Sequence, residues 1–274
     1  MTIIMNGGEQ MNFFDDEQKI IDKFQFVSTQ EVFFPIQTKD AISVFNAIHN
    51  KDNWQYWNNN SGKADPPPDF FSEKFNLMME VMRIDDHAHY NEKGVLINPV
   101  NQRESMLQKE IRQNFTARDP NFDFSKLNIR VNALSGLPTK EDHNYHFYYD
   151  NFKRVLEKHI ESIPLYKSNH PDKKLIFFLF DESTGYLITD EDTAKRNLIA
   201  GERFYAYPMW HFFDNRFTNV FRYSGIDYLI WYTPFKMYHG STVQPPKVCV
   251  FDVKNYNYEG MVDYPNELIV SSEA

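Results

Sequence analysis

Six consecutive apolar residues at 175–180, Leu-Ile-Phe-Phe-Leu-Phe, constrain this chain more than any other segment. A run so short and uninterrupted suits a β-strand covered on both faces, because an exposed face would require polar residues at alternate positions. Two further apolar runs, 225–232 and 248–254, read as core strands of the same kind. Both carry charge near their ends, at Asp227 and at Asp252 and Lys254. Burying charge without a partner is costly, so these groups need ion partners, water or a metal. From residue 127 onward such strands alternate with helical patterns. The expected fold is α/β or α+β: a central mixed sheet flanked by helices.

Local signals divide the rest of the chain. After a leader at 1–10, Asp15, Asp16 and Glu17 open a helix whose apolar stripe is Ile20, Ile21, Phe24 and Val27. Thr38 caps a second helix carrying Ala41, Val44, Phe45 and Ile48. Residues 49–69, with an Asn-rich run and three consecutive prolines, are too irregular for a long element. These features predict a small helical N-terminal appendage and tether over 1–69 and a mixed-sheet body over 70–274.

Within the body, 75–86 reads as a strand that turns through Asn91 to Gly94 into a partner at 95–98. Pro99 opens a helix bearing Val100, Glu104, Leu107 and Ile111 on one face. Residues 127–131 alternate as a strand. A long amphipathic helix from Tyr148 to Ile163 is expected to stop at Pro164, and 210–223 reads as helical.

Composition narrows the function. The chain has 274 residues, 42% hydrophobic and 24% charged, as a folded protein does. A net charge of −9 works against general attraction to nucleic-acid phosphates and suits docking on a basic, nucleic-acid-binding protein. With 25 Phe, 16 Tyr and 4 Trp, some aromatics are expected on a surface that meets a partner. Trp54, Tyr56, Trp57, Trp210, Phe212 and Phe213 are the binding candidates. The single Cys249 lies in an apolar run and allows no internal disulfide. No stretch has the length of a membrane span and 2–10 lacks the pattern of a signal peptide, so a cytoplasmic location is expected.

Two patterns bear on catalysis. Asp227, followed on the next strand by Asp252 and Lys254, could hold a divalent ion and steady a phosphate. In this respect the segment resembles the PD-(D/E)xK nucleases. The resemblance implies a Mg²⁺- or Mn²⁺-dependent site, with Glu104 as the carboxylate that some members place on a helix. The pair His87-x-His89, in Asp85-Asp86-His87-Ala88-His89, has metal-site spacing. It resembles the opening motif of amidohydrolases, although too few residues follow for that family's barrel. His143 and His146, flanked by Glu141, Asp142 and Asp150, offer another such spacing. A solvated hairpin end and an acid-capped helix start explain these two clusters structurally, so no metal ligand is assigned. Asp181-Glu182, closing the most apolar strand, marks a ligand-binding edge.

No phosphate loop, dinucleotide fingerprint or nucleophile elbow is present. Without a complete catalytic set, the leading expectation is a non-catalytic protein-interaction protein that needs no cofactor. An inhibitor or adaptor for a host nucleic-acid-processing or defence protein would use these features, and homo-oligomerisation is compatible with them. The Asn-, Phe-, Tyr- and Ile-rich usage is compatible with an AT-rich bacterium or its phages. The nuclease is the alternative.

Overall fold

The computed structural model describes residues 17–61, 67–119, 143–196, 198, 203–238 and 243–272. The expected leader, the strand at 127–131, Glu141, Asp142 and the side chain of Glu104 lie outside the described residues.

Strands β1 (Val32–Phe33), β2 (Asn58–Asn59), β3 (Phe70–Ser72), β4 (Leu77–Ile84), β5 (His89–Tyr90) and β6 (Leu96–Ile97) come from the first half of the chain. The second half supplies β7 (Lys174–Asp181), β8 (Tyr186–Thr189), β9 (Ala206–Pro208), β10 (Tyr228–Tyr232), β11 (Val248–Asp252) and β12 (Ile269–Ser271). Seven of these form a mixed sheet in the order β1-β11-β10-β7-β4-β3-β2. The central trio β4, β7 and β10 is parallel, with Ile84 opposite Asp181 and Phe180 opposite Tyr232. Their carboxyl ends therefore share one edge of the sheet. The α/β character with a central mixed sheet is as the sequence implied.

Strand alternation sorts the core into two layers. On one face Ile176, Phe178 and Phe180 of β7 join Ile230 of β10 and Val250 of β11. Two helices cover this face: α1 (Glu17–Phe24), through Ile20 and Phe24, and α2 (Lys39–His49), through Ala41, Val44 and Ile48. Thr38 caps α2 as expected, its Oγ1 accepting from Ala41 N at 3.0 Å. On the other face Leu175, Phe177 and Leu179 meet Leu229, Trp231 and Phe251. The short α3 (Lys51–Trp54) and the long α4 (Pro99–Arg118) precede the helices that cover this second face. These are α5 (Tyr145–Glu161), α6 (Ile163–Asn169) and, beyond α7 (Glu191–Lys195), α8 (Asn215–Phe221).

Four local expectations differ from what forms. The N-terminal segment is built into the body: β1 pairs with β11, β2 pairs with β3, and Phe24 packs against Phe178 and Tyr232. Its apolar stripes need a partner, and the sheet face supplies one. The strand at 77–84 pairs with β7 and β3 rather than turning into 95–98, because its mostly apolar residues are buried from both sides inside the sheet. The turn at Asn91 to Gly94 forms nonetheless, with Gly94 at φ +70°, and joins the small hairpin β5–β6. Pro164 starts α6, where its missing N–H is harmless, instead of only ending α5. Residues 210–223 form a short 3₁₀ turn, His211–Phe213, and then α8, separated by the capping residue Asp214.

One acidic pair inside this body carries a pH signature. Asp69 Oδ2 accepts from Val81 N at 2.8 Å, and Asp69 N donates to Glu80 Oε2 at 3.3 Å. Glu80 in turn faces His159 Nδ1 at 2.9 Å. Burial, and then the charge of Glu80, raise the Asp69 carboxyl to about 7 against the opposing Val81 hydrogen bond. The folded chain thus keeps that proton up to about pH 7, whereas an unfolded Asp releases it near about 4. Folded protein binds more protons across this window, so the Asp69 contribution lowers stability as pH rises from about 4 to 7 and is flat above. Urea unfolding at pH 5 and pH 7.5 should show Asp69→Asn losing less stability over that interval than the parent. Parallel pH dependence of the two proteins would contradict this assignment.

Candidate metal centre at the carboxyl edge of the parallel strands

The loops that leave β4 and β7 meet at the carboxyl edge. Asp86, two residues past β4, is fully buried. Its Oδ2 accepts from Tyr186 Oη at 2.7 Å and from Thr184 N at 3.0 Å. Its Oδ1 lies 3.5 Å from His87 Nε2 and 3.2 Å from His143 Nδ1. Burial alone would push the Asp86 carboxyl up. The hydrogen bond and charge of His143, the charge of His87 and the Tyr186 hydroxyl outweigh it and hold the group well below the usual carboxylate range.

Each imidazole is placed by local structure. Asp85 Oδ1 accepts from the backbone N–H groups of His87 and Ala88, at 3.1 and 2.9 Å, and so folds the turn that carries His87. Asn98 and Asn151 bond Asp85 from either side, at 2.8 and 3.3 Å. His143 immediately precedes Asn144, whose side chain caps α5. Its backbone takes φ +51°, a left-handed conformation that is uncommon outside glycine. The His87 and His143 rings meet edge to face with centroids 4.5 Å apart.

Asp86, His87 and His143 each offer one ligand atom, all within 4.8 Å of one another, and among the described residues they form the one three-ligand group of His, Cys, Asp or Glu. At metal–ligand distances of about 2.0–2.2 Å, neighbouring ligands of a tetrahedral ion sit about 3.3–3.6 Å apart. The two Asp86–His separations, 3.2 and 3.5 Å, are close to that spacing. His143 Nδ1 hydrogen-bonds both Asp86 oxygens at 3.2 Å, a contact that a bound ion would replace.

Behind Asp86 lies a second buried polar layer. Thr184, which donates to Asp86, accepts from Lys236 Nζ at 2.8 Å through its carbonyl. Lys236 is also bonded to Ser183 Oγ, lies 3.5 Å from Asp181 Oδ2 and sits 4.3 Å from the centroid of the Tyr148 ring. Burial lowers its pKa, opposed by Asp181 and Asp86. Asp181 accepts from Tyr148 Oη at 2.6 Å and from Trp231 Nε1 at 2.8 Å. The turn between the layers has no spare room: a Cβ on Gly185 would lie 2.9 Å from Tyr238 and 3.0 Å from the Met237 carbonyl.

The sequence candidates separate in space. His89 turns away, its Nδ1 donating to the His87 carbonyl at 2.9 Å and its ring stacked on Phe147. His146 pairs with Asp150 at 3.4 Å in an exposed position. The two His spacings thus each contribute one residue to the centre. Nothing local to either segment shows that they meet.

Asp227, Asp252 and Lys254 lie at the opposite edge of the sheet. Tyr228 is the cross-strand partner of Asp252, which places Asp252 on the α2 face, where Thr38 Oγ1 donates to it at 2.7 Å. Asp227, one residue earlier, faces the other layer and accepts from Leu175 N at 2.8 Å. It also meets Lys254 at 2.5 Å and Lys167 at 3.5 Å. The one-residue offset sends the two acids to opposite faces, apart from the shared pocket that the nuclease alternative requires.

The aromatic candidates are mostly packed. Trp57 is buried with its Nε1 donating to the Ala47 carbonyl, and Phe212 is buried against Trp231. Trp54, Trp210 and Phe213 are half-buried, and Tyr56 is exposed beneath the Lys74 ammonium.

Comparison with protein-family models, curated proteins and solved structures gives no match. None of the helices among the described residues is long and apolar enough to cross a membrane.

Because Asp227 and Asp252 share no partner, the stability losses of Asp227→Asn and Asp252→Asn should add to within about 0.5 kcal/mol in the double mutant. A larger coupling in chemical denaturation would show that they act as one site.

Proposed function

We propose that this protein binds one divalent transition-metal ion through Asp86, His87 and His143, and that the ion is its functional centre. The observation that supports the reading is the convergence of two imidazoles and one carboxylate oxygen at separations close to those of metal ligands. Imidazole donors favour Zn²⁺, Fe²⁺, Ni²⁺ or Cu²⁺ over Mg²⁺, which prefers oxygen. Three protein ligands leave a coordination position open, as catalytic rather than structural zinc sites do. The surroundings also suit a metal. Tyr186 and Thr184 fix the Asp86 carboxylate from behind, and Asp85 orders the His87 turn.

The interaction role and the Mg²⁺- or Mn²⁺-dependent nuclease have narrower support. Of the six residues named for the first, only Tyr56 is exposed and Trp57 and Phe212 are core residues, although Phe26, Tyr205, Tyr207 and Tyr223 are exposed elsewhere. The second would need Asp227 and Asp252 on one face.

Titration of metal-stripped protein with Zn²⁺ should give one ion per chain. His87→Ala and His143→Ala should each weaken binding at least tenfold. Tyr186→Phe, which removes a hydroxyl bonded to the ligand carboxylate, should cost roughly 10–100-fold. Asp227→Asn should leave the affinity unchanged. Absence of stoichiometric binding, or affinity indifferent to His87 and His143, would overturn the proposal.

A further inference from the structure

We propose that Asp69, Glu80, His159 and Tyr166 form a proton-operated latch, which fastens the chain entering β3 along the margin of β4 and loosens when one proton leaves. The latch is independent of the metal reading.

Strands β3 and β4 are antiparallel, with Phe70 opposite Met79 and Ser72 opposite Leu77. Continued by one residue, that register sets Asp69 opposite Glu80, which is buried. Like charges in directly opposed positions repel. At this step side chains replace the backbone ladder. Val81 N donates to Asp69 Oδ2 at 2.8 Å, and Asp69 N donates to Glu80 Oε2 at 3.3 Å. The Asp69 carboxyl thus stands where a strand partner for Val81 would be.

The titratable groups around this pair come from three further elements. His159 Nδ1, in the last turn of α5, meets Glu80 Oε1 at 2.9 Å. The Tyr166 hydroxyl, on α6, lies 3.2 Å from His159 Nδ1, and burial and then the Glu80 charge push its pKa up. Glu17, at the start of α1, adds a smaller negative influence on Asp69. His159 therefore supports the charge of Glu80, whereas burial, Glu80 and Glu17 all oppose a charge on Asp69. One negative charge is accommodated at this step and a second is not.

Protonated Asp69 keeps an oxygen for Val81 and stands neutral beside Glu80. Ionised Asp69 keeps the same bond against repulsion, and moving away from Glu80 relieves it. Two other bonds hold the segment near the sheet: Asn169 Nδ2 donates to the Pro67 carbonyl and Asn60 N to the Asp69 carbonyl, both at 2.7 Å. Release of the Asp69 side chain is thus a local opening that bares the Val81 N–H. Closed, Asp69 holds its proton up to about pH 7, and once solvated it would release it near about 4. Opening therefore becomes easier as pH rises from about 4 to 7 and levels off above.

Native-state hydrogen exchange, read at single amides by NMR at pH 5 and pH 7.5 and corrected for intrinsic rates, tests this. The Val81 amide should open at least tenfold more often at pH 7.5 than at pH 5. At pH 7.5 it should be less protected than Phe178 in the core of β7, and its exchange should be insensitive to low urea. Asp69→Asn keeps both hydrogen bonds without ionising and should show a rise of less than threefold, with His159 present in both proteins. Glu80→Gln, which removes the opposing charge, should also shrink the rise. Val81 protection equal to that of Phe178 at both pH values would mean that only global unfolding exposes it, and would overturn the latch. A rise of the same size in the parent and the variants would overturn it as well. Should Asp69→Asn fail to fold, parent against Glu80→Gln applies the same criterion.

Discussion

Parallel pairing of β4, β7 and β10 is the constraint from which the chemistry of this molecule follows. It aligns three carboxyl ends on one edge, while the interiors of β7 and β10 are apolar on both faces and β4 carries one buried acid, Glu80. Charged groups are then confined largely to the two edges, where loops and helix ends supply hydrogen-bond partners. At the amino edge the alternation of β10 and β11 sends Asp227 and Asp252 to different layers. At the carboxyl edge the loops after β4 and β7 fold over one another and bring Asp86 and Asp181 into a continuous polar layer.

A fully buried carboxylate such as Asp86 needs compensation on every side. Tyr186 and Thr184 provide it from within, and the two imidazoles complete it from the solvent side. Helix α5 joins β4 at both of its ends in this way. His143 stands before its first turn opposite Asp86, and His159 lies in its last turn opposite Glu80. Both are hydrogen-bonded contacts: His159 meets one Glu80 oxygen at 2.9 Å, and His143 meets both Asp86 oxygens at 3.2 Å.

Much of the fold is legible in local sequence because its causes are local. The apolar run of β7, the Thr38 cap, Pro99 at a helix start and the glycine-ended turn at 91–94 each act over a few residues. What the sequence does not disclose depends on long-range pairing. Residues 77–84 read as a hairpin arm until β7 is known to lie beside them. Asp227 and Asp252 read as a pair until the register shows them on opposite faces. Trp57 and Phe212 read as surface contacts although Ala47 and Trp231 enclose them. The candidate metal centre is the sharpest case. His87-x-His89 and His143-x-x-His146 each look like a ligand pair, yet the fold takes one residue from each and orients both with Asp86, which no spacing rule singles out.

The most direct measurement is a crystal structure of the zinc-loaded protein with anomalous data at the zinc edge. The account predicts one strong anomalous peak about 2.0–2.2 Å from Asp86 Oδ1, His87 and His143, with a non-protein atom in the remaining position. A peak at other residues, or no anomalous peak between Asp86, His87 and His143, would contradict it.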